Sequence, residues 1–106
     1  MERVCFVFEI FPGQEAEYDK RHREIWPELV EDLHDAGCEN YTIFRSGTNA
    51  VGYFEAVPNK RAVSEKLSQS DANERWSRWF ETVIRNLTDE EGNLIEMQEV
   101  WHLAEL

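Results

Sequence analysis

The sequence predicts an α+β fold, formed by an antiparallel sheet with helices on one of its faces. Three observations support this prediction. A β-rich apolar segment opens the chain, a pair of β-rich segments lies in its middle, and segments with helical apolar spacing separate them. With 106 residues, the chain is long enough for one modest core and too short for two, so we expect a single domain over residues 1–106.

The first strand is predicted over residues 3–10, where RVCFVFEI is apolar at nearly every position and rich in Val and Phe. This composition is typical of a central strand that is covered on at least one face. A Pro-Gly pair ends the strand. Apolar residues then recur at helical spacing over residues 14–36, until Gly37 provides a helix stop. One long helix, interrupted by Pro27, is therefore predicted.

The middle of the chain predicts an antiparallel hairpin. Residues 40–45, NYTIFR, and residues 50–57, AVGYFEAV, are rich in β-forming side chains. The SGTN segment between them is a cluster of turn formers of hairpin length. A polar helical segment over residues 60–69 follows the hairpin and begins the second helical layer.

The last part of the chain predicts another helix and a closing strand. The segment SDANERWSRWFETVIRNL, residues 70–87, opens with capping residues, and a break from the preceding helix is expected near Ser70. Four apolar residues recur on one face of this helix: Trp76, Phe80, Val83 and Leu87. After an acidic turn, LIEMQEVWHL over residues 94–103 alternates apolar and polar residues as a strand does.

The resulting order β-α-β-β-α-β is that of the ferredoxin-like fold, a four-stranded antiparallel sheet with its helices on one face. The other face of such a sheet would be bare and would carry Phe, Val, Trp and Tyr side chains. This is more apolar surface than a small monomer normally exposes. We therefore expect a homodimer in which two sheets pair.

The charge and hydropathy of the chain exclude several classes of partner. There are 22 acidic against 11 basic residues, for a net charge of −11, which disfavours nucleic acid and anionic membranes. No apolar segment is long enough to cross a bilayer and no secretory signal pattern opens the chain, so a cytoplasmic protein is expected. Cys5 and Cys38 lack CxxC spacing and are expected to be free thiols.

A histidine on an apolar helix face is the first candidate for chemistry. On a helical wheel His22 falls on the stripe that faces the sheet, with the following neighbours: Tyr18, Ile25, Leu29, Leu33 and Ala36. Such a histidine is more often a satisfied core residue than a catalyst. Here Tyr18 lies one turn away and Pro27 must kink the helix beside the pair, which makes room for a ligand. We therefore consider His22 a candidate acid/base residue.

Aromatic residues on other elements suggest a sugar as the ligand. Tyr41 begins the second strand, and Trp76 begins an apolar helix face with Trp79 beside it; the chain has four Trp in all. A pyranose presents C–H patches that stack on indole rings, and hydroxyls that need both donors and acceptors. Trp, Tyr and His side chains provide both. The alternative is that Trp76 fills the core and Trp79 lies at its rim.

No motif predicts a metal or a cofactor. The three histidines, His22, His34 and His102, lack paired ligand spacing and have no cysteine partner. The chain also lacks GxSxG, a Gly-rich phosphate loop and a dinucleotide-binding fingerprint. We therefore expect acid/base chemistry that needs no cofactor.

Several segments resemble the L-rhamnose mutarotase family. They are YDKRHREIWPEL, NYTIF, VGYFE, ANERW and MQEVWHL, which lie between residues 18 and 103, and the similarity as a whole extends from the first strand to the last. The resemblance implies a dimeric α+β barrel of ferredoxin-like subunits that interconverts the α and β anomers of L-rhamnose. It also implies that His22 is the acid/base, while three aromatic residues hold the sugar: Tyr18, Tyr41 and Trp76.

One departure from the family pattern concerns the sugar. Family members often have a second aromatic residue directly after the first Trp, whereas here Ser77 follows Trp76 and the next aromatic is Trp79. We include Trp79 among the predicted substrate contacts. L-fucose or another pyranose is an alternative substrate. A cofactor-independent oxygenase of the α+β barrel type and a non-catalytic sugar-binding module are the alternative functions.

Overall fold

A computed structural model describes residues 1–105 and has one antiparallel sheet with helices against its buried face. The strands are β1 (Glu2–Ile10), β2 (Cys38–Ser46), β3 (Asn49–Ala56), β4 (Ile84–Arg85) and β5 (Glu96–Met97). The helices are α1 (Glu15–Arg23), α2 (Pro27–Ala36), α3 (Lys60–Leu67) and α4 (Asp71–Trp79), and a 3₁₀ turn covers Leu103–Glu105. The expected α+β, ferredoxin-like class is confirmed.

The strand order is β2-β3-β1-β4, with β1 in the interior of the sheet. β1 pairs antiparallel with β3 from Glu2 to Glu9. Two short strands share the other edge of β1: β4 pairs with the end of β1, and β5 pairs with its middle. The predicted four-stranded sheet therefore has a fifth strand, since two short strands occupy the position of the expected fourth.

Alternation along β1 determines which face of the sheet is covered. Four of its side chains are almost fully buried: Val4, Phe6, Phe8 and Ile10. Their neighbours on β3 are small or apolar, since Phe6 pairs with Gly52 and Phe8 with Ala50. Side chains of a strand alternate between faces, so this set forms the core under the helices. The prediction that β1 is a central strand covered on one face is confirmed.

The predicted helix over residues 14–36 is two helices. α1 ends at Arg23, and Trp26 has extended backbone angles, with φ −68° and ψ 130°. Pro27 is the first residue of α2 because its ring disfavours helical geometry in the residue before it and because a first helical position needs no N–H. Gly37 ends α2 in the left-handed conformation, at φ 103°, as predicted.

The predicted helix over residues 70–87 is too long. Ser70 caps its start by accepting a hydrogen bond from the Asn73 N–H, as expected, but α4 ends at Trp79. Val83 is fully buried, but it lies in a turn that follows the helix. β4 comes next and pairs with the end of β1. A residue buried in a turn gives the same apolar signal as one on a helix face, so the spacing overestimated the helix.

The predicted strand over residues 94–103 is also shorter than expected. Only Glu96–Met97 is a strand, extended by a bond from the Val7 N–H to the Ile95 carbonyl. Beyond it the chain leaves the sheet with apolar side chains uncovered; Val100 is 89% exposed and Trp101 62% exposed. Within residues 1–105, none of the helices combines the length and the apolar character needed to cross a membrane.

Candidate active site

His22 lies on the last turn of α1, with its ring centroid 4.3 Å from that of Tyr18. Its Nδ1 lies 3.0 Å from the main-chain carbonyl oxygen of Tyr18, one turn earlier. A carbonyl oxygen can only accept, so Nδ1 carries the hydrogen and donates it. In the neutral imidazole the lone pair is then on Nε2. The local helix geometry therefore fixes the tautomer that a general base requires.

The surroundings of His22 favour its neutral form. Burial lowers the pKa of His22 below its ordinary value of 6.5, because the imidazolium ion is poorly solvated there. The hydrogen bond to Tyr18 and the nearby carboxylate of Asp19 oppose this effect without overcoming it. His22 is consequently a neutral imidazole at neutral pH, able to accept a proton at Nε2 and return it.

Tyr18 is only 3% exposed and packs between the sheet and α4. Its ring centroid lies 6.0 Å from that of Phe8 and 5.8 Å from that of Phe80. Its hydroxyl is buried and has no hydrogen-bond partner among residues 1–105. Burial, with a contribution from Tyr41, raises the pKa of Tyr18. Tyr18 is thus a protonated phenol with an unused donor, which suits a hydroxyl-bearing ligand.

Tyr41 lies on β2 at an irregularity in its pairing with β3, between Glu39 and Thr42. Its ring stacks on Phe54 at 5.2 Å and meets the edge of Phe6 at 6.3 Å. As a whole residue Tyr41 is 41% exposed, but desolvation of its phenol raises the pKa of Tyr41. The structure therefore supplies a second protonated phenol close to Tyr18.

Trp76 approaches His22 from α4. The two ring centroids are 5.3 Å apart and the rings are nearly perpendicular, at 86°. Trp76 also packs on Phe80 at 4.7 Å and on Trp26 at 5.2 Å. The structure thus brings together three of the five predicted site residues, Tyr18, His22 and Trp76, in direct ring contact.

Trp79 lies one layer further from His22. Its ring stacks on Trp26 with centroids 5.5 Å apart and an angle of 18°, and it contacts Trp76 at 5.7 Å. The Arg21 guanidinium lies 4.2 Å from the centre of the Trp79 ring and donates to the Trp79 carbonyl at 2.5 Å. A direct contact between Trp79 and substrate remains a prediction.

A cavity of about 340 Å³ opens between α1 and β2. It is lined by Tyr18, Asp19, His22, Arg23, Ile43 and Arg45. Small-ligand sites usually occupy about 300–1,000 Å³, so this cavity is of a size for a single sugar ring. Its lining combines an imidazole and a phenol with charged groups and one aliphatic side chain.

Sequence reasoning gave no role to four residues of this region: Asp19, Trp26, Arg45 and Phe80. Trp26 precedes a helix-breaking proline, and that position could have indicated a residue leaving the helix beside His22. Phe80 was recognised only as part of an apolar face. The pairing of Asp19 with Arg45 joins α1 to β2, and no local pattern predicts it.

Among the described residues, no group of three or more His, Cys, Asp or Glu side chains is placed to hold a metal ion. The cavity is lined by a base in a fixed tautomer and one protonated phenol, while Trp76 contacts His22 and Tyr41 lies near Tyr18 without being among the lining residues. This combination is suited to general acid/base chemistry on a small, hydroxylated substrate, as in an enzyme that needs no cofactor to move protons.

Comparison with known proteins gives the family. The family model described as L-rhamnose mutarotase matches residues 3–103, and the chain belongs to this family of isomerases. An L-rhamnose mutarotase of Acidiphilium cryptum is 34% identical over 105 residues, covering 97% of this chain and 99% of the relative. One of Oceanobacillus iheyensis is 30% identical over 105 residues, with the same coverage. The predicted family is confirmed.

A solved structure supports the fold independently. The crystal structure of an L-rhamnose mutarotase from Formosa agariphila superposes with a TM-score of 0.77 at 21% identity. The match covers 97% of this chain and 99% of the other. The arrangement of strands and helices described above is therefore that of an experimentally determined relative.

Proposed function

We propose that this protein interconverts the α and β anomers of L-rhamnose, with His22 as the general acid/base. Membership of the family supports the reaction and the sugar. The observation that carries the role of His22 is its hydrogen bond to the Tyr18 carbonyl, which leaves the Nε2 lone pair available beside the cavity. A neutral imidazole is the side chain best able to accept and return a proton near neutral pH.

Ring opening requires one proton to leave and one to arrive. Nε2 of His22 removes the proton of the anomeric hydroxyl, and the C1–O5 bond breaks as C1 becomes an aldehyde. The ring oxygen receives a proton, from the imidazolium directly or through a hydroxyl or water. Rotation about C1–C2 and the reverse transfers then close the ring on the other face. The proton count is unchanged over the cycle, so one residue can serve both steps.

The aromatic residues hold the sugar in this proposal. The raised pKa values of Tyr18 and Tyr41 keep both phenols protonated, so they donate hydrogen bonds to sugar oxygens. The unused hydroxyl of Tyr18 is the better placed, since it is buried beside His22. Trp76 provides an indole surface for C–H stacking, and Trp79 extends that wall.

Exchange spectroscopy tests this proposal. Saturation of one anomeric proton of L-rhamnose at equilibrium should transfer to the other in the presence of the protein. General acid/base groups typically contribute about 10² to 10⁴ in rate, so His22→Ala should lose at least about a hundredfold. His34→Ala, which changes an exposed histidine on α2, is the matched control and should retain the rate.

The same experiment with L-fucose compares the two sugars. If the anomers of L-fucose exchange faster than those of L-rhamnose, L-fucose is the preferred substrate. Retention of exchange in His22→Ala would refute the catalytic assignment. If the wild type exchanges neither sugar, the proposed reaction is wrong. Calorimetry and oxygen uptake would then distinguish a binding module from an oxygenase.

The proposal includes a homodimer formed through the uncovered face of the sheet. Phe44 is 67% exposed on this face, opposite Val51. Apolar side chains at the end of the described chain, such as Val100 and Trp101, are also exposed. Sedimentation should give twice the chain mass, and Phe44→Glu should shift it towards the monomer. A monomeric wild type would contradict this part of the proposal.

We also propose a cytoplasmic location. Cys5 and Cys38 are both free cysteines, as expected for a reducing compartment. Burial raises the pKa of Cys38 to about 11, so this thiol is protonated and unreactive. Fractionation of the producing cells tests the location, and recovery of the protein outside the cytoplasm would contradict it.

A further inference from the structure

An ion pair between α1 and β2 forms part of the cavity lining. Arg45 of β2 holds Asp19 of α1 through two bonds, Nε to Oδ1 at 2.9 Å and Nη2 to Oδ2 at 2.5 Å. The remaining guanidinium nitrogen of Arg45 donates to the Gly47 carbonyl at 2.8 Å. Both side chains line the same cavity as His22 and Tyr18. The Arg45 guanidinium is therefore held by both Asp19 and Gly47, and the ion pair is part of the cavity wall.

The ion pair leaves hydrogen-bonding capacity unused. A carboxylate has about four lone-pair sites and a guanidinium five N–H donors, and the bonds above use about half of each. The side chains are partly exposed, 37% for Asp19 and 26% for Arg45. They can therefore accept from one hydroxyl and donate to a neighbouring one. This is the combination that two adjacent hydroxyls of a pyranose require.

The position of the pair relative to His22 determines which hydroxyls it reaches. Asp19 and His22 are three residues apart on α1, so they are neighbours on one helix surface, about 5–6 Å apart at Cβ. A sugar with its anomeric hydroxyl at His22 would present hydroxyls from another part of its ring to Asp19. In that pose the pair would face ring positions that do not change during mutarotation.

We propose that Asp19 and Arg45 are specificity-determining residues that bind two neighbouring sugar hydroxyls away from the anomeric carbon. This inference rests on the proposed function, because it assumes a sugar in the cavity. It gives the ion pair a role beyond joining α1 to β2. If the ion pair only joined α1 to β2, its loss would lower the affinity for all sugars alike. An ion pair that binds hydroxyls instead discriminates among sugars that differ at one position.

The test compares Asp19→Asn and Arg45→Gln with the wild type on L-rhamnose and on its analogues that each lack one hydroxyl. Arg61→Gln is the matched control, because it breaks an exposed ion pair with Glu65 on α3. Affinities are measured by calorimetry, and KM and kcat by anomer exchange. Measurements are made at alkaline pH, where His22 is neutral in each variant and changes in nearby charge do not alter its ionisation.

The wild type should bind one or two of the deoxy analogues at least about tenfold more weakly than L-rhamnose, since a hydrogen bond to a charged group is lost. Asp19→Asn and Arg45→Gln should bind L-rhamnose about tenfold more weakly than the wild type does. These variants should bind L-rhamnose and those deoxy analogues with similar affinity. The loss should appear in KM more than in kcat. Arg61→Gln should retain the wild-type pattern.

The inference would be overturned if both variants bound all the sugars more weakly by the same factor. It would also be overturned if both variants kept the wild-type difference in affinity between L-rhamnose and its analogues. Either result would leave the ion pair with only a structural role. Arg45→Lys keeps the charge without the two-pronged geometry, and it replaces Arg45→Gln if that variant does not fold. A wild type that binds sugars without exchanging anomers refutes the proposed function but still tests the pair by calorimetry. A wild type that binds no sugar overturns both.

Discussion

Tyr18 contacts His22 in two ways: its carbonyl oxygen accepts from Nδ1 at 3.0 Å, and its ring lies 4.3 Å from the imidazole. The carbonyl is part of the helix, so the tautomer of His22 is fixed by backbone geometry. The phenol is left free to interact with a ligand, since its hydroxyl has no partner in the described chain. In the proposed mechanism, orientation of the base and binding of substrate would therefore depend on different atoms of one residue.

The pH dependence should reflect the buried position of His22. Burial lowers the pKa of His22, so the neutral base persists below pH 6.5 as the solution becomes more acidic. We expect kcat/KM for anomer exchange, corrected for the uncatalysed rate, to fall with an inflection below 6.5. Asp19→Asn should move the inflection lower still, because Asp19 favours the imidazolium. An inflection above 6.5 would contradict this prediction.

Tyr18→Phe should separate stability from activity. The Tyr18 hydroxyl is buried without a partner, and such a group costs about 1–3 kcal/mol. We expect the free energy of unfolding in urea to stay the same or rise by about 1 kcal/mol, because the ring packing is kept. Anomer exchange should nevertheless slow by about tenfold or more as a donor to the sugar is lost. Wild-type exchange in this variant would show that the hydroxyl does not contact substrate.

Trp76 and Trp79 should differ in their effect on catalysis. Trp76 contacts His22 directly, whereas Trp79 stacks on Trp26 and is covered by Arg21. We expect Trp76→Ala to raise KM and lower kcat, and Trp79→Ala to affect exchange less. Trp76→Ala should destabilise the fold by roughly 3–5 kcal/mol, the usual cost of truncating a packed tryptophan. Trp79→Ala should destabilise it less, because Trp79 is 39% exposed. A larger effect on KM from Trp79→Ala would support direct contact with the sugar.

Gly52→Ala tests whether the packing of Phe6 on Gly52 positions Tyr41. A Cβ at Gly52 would lie 2.3 Å from Cζ of Phe6, whose ring covers this position. The Phe6 ring must move, and it packs against Tyr41. Overpacking costs about 1–3 kcal/mol in folding free energy, and we expect a loss of that size in urea denaturation together with weaker sugar binding. Gly47→Ala, where a Cβ meets no atom within 4 Å but φ is positive, is a control for backbone strain alone.

The fold class, and the placement of part of the candidate site, could be predicted from local patterns. Alternating or continuous apolar residues identified β1 and the hairpin, and helical spacing placed His22 and Tyr18 on one face of α1. These signals are local, because they depend on residues within one or two turns. The contact of Trp76 with His22 joins two helices far apart in the chain, and only the aromatic composition suggested it.

The errors arise because a local pattern fixes neither secondary structure nor the packing of one element on another. Val83 is buried in a turn and was assigned to a helix, because its spacing from Phe80 fits both. The alternation over residues 94–103 predicted a strand, although only Glu96–Met97 pairs. The Asp19–Arg45 pair depends on how α1 lies against β2, which charge patterning alone does not define.

The interior position of β1 also affects how the chain acquires its structure. β1 is synthesised early, but its two edges pair with segments that emerge at very different times. The β3 edge can close once the hairpin exists, whereas the edge for β4 and β5 must wait for the final part of the described chain. Contacts of such long sequence separation slow folding. A nascent chain therefore presents an unpaired, apolar strand edge on the ribosome, and its escape from aggregation depends on rapid completion or on chaperone binding.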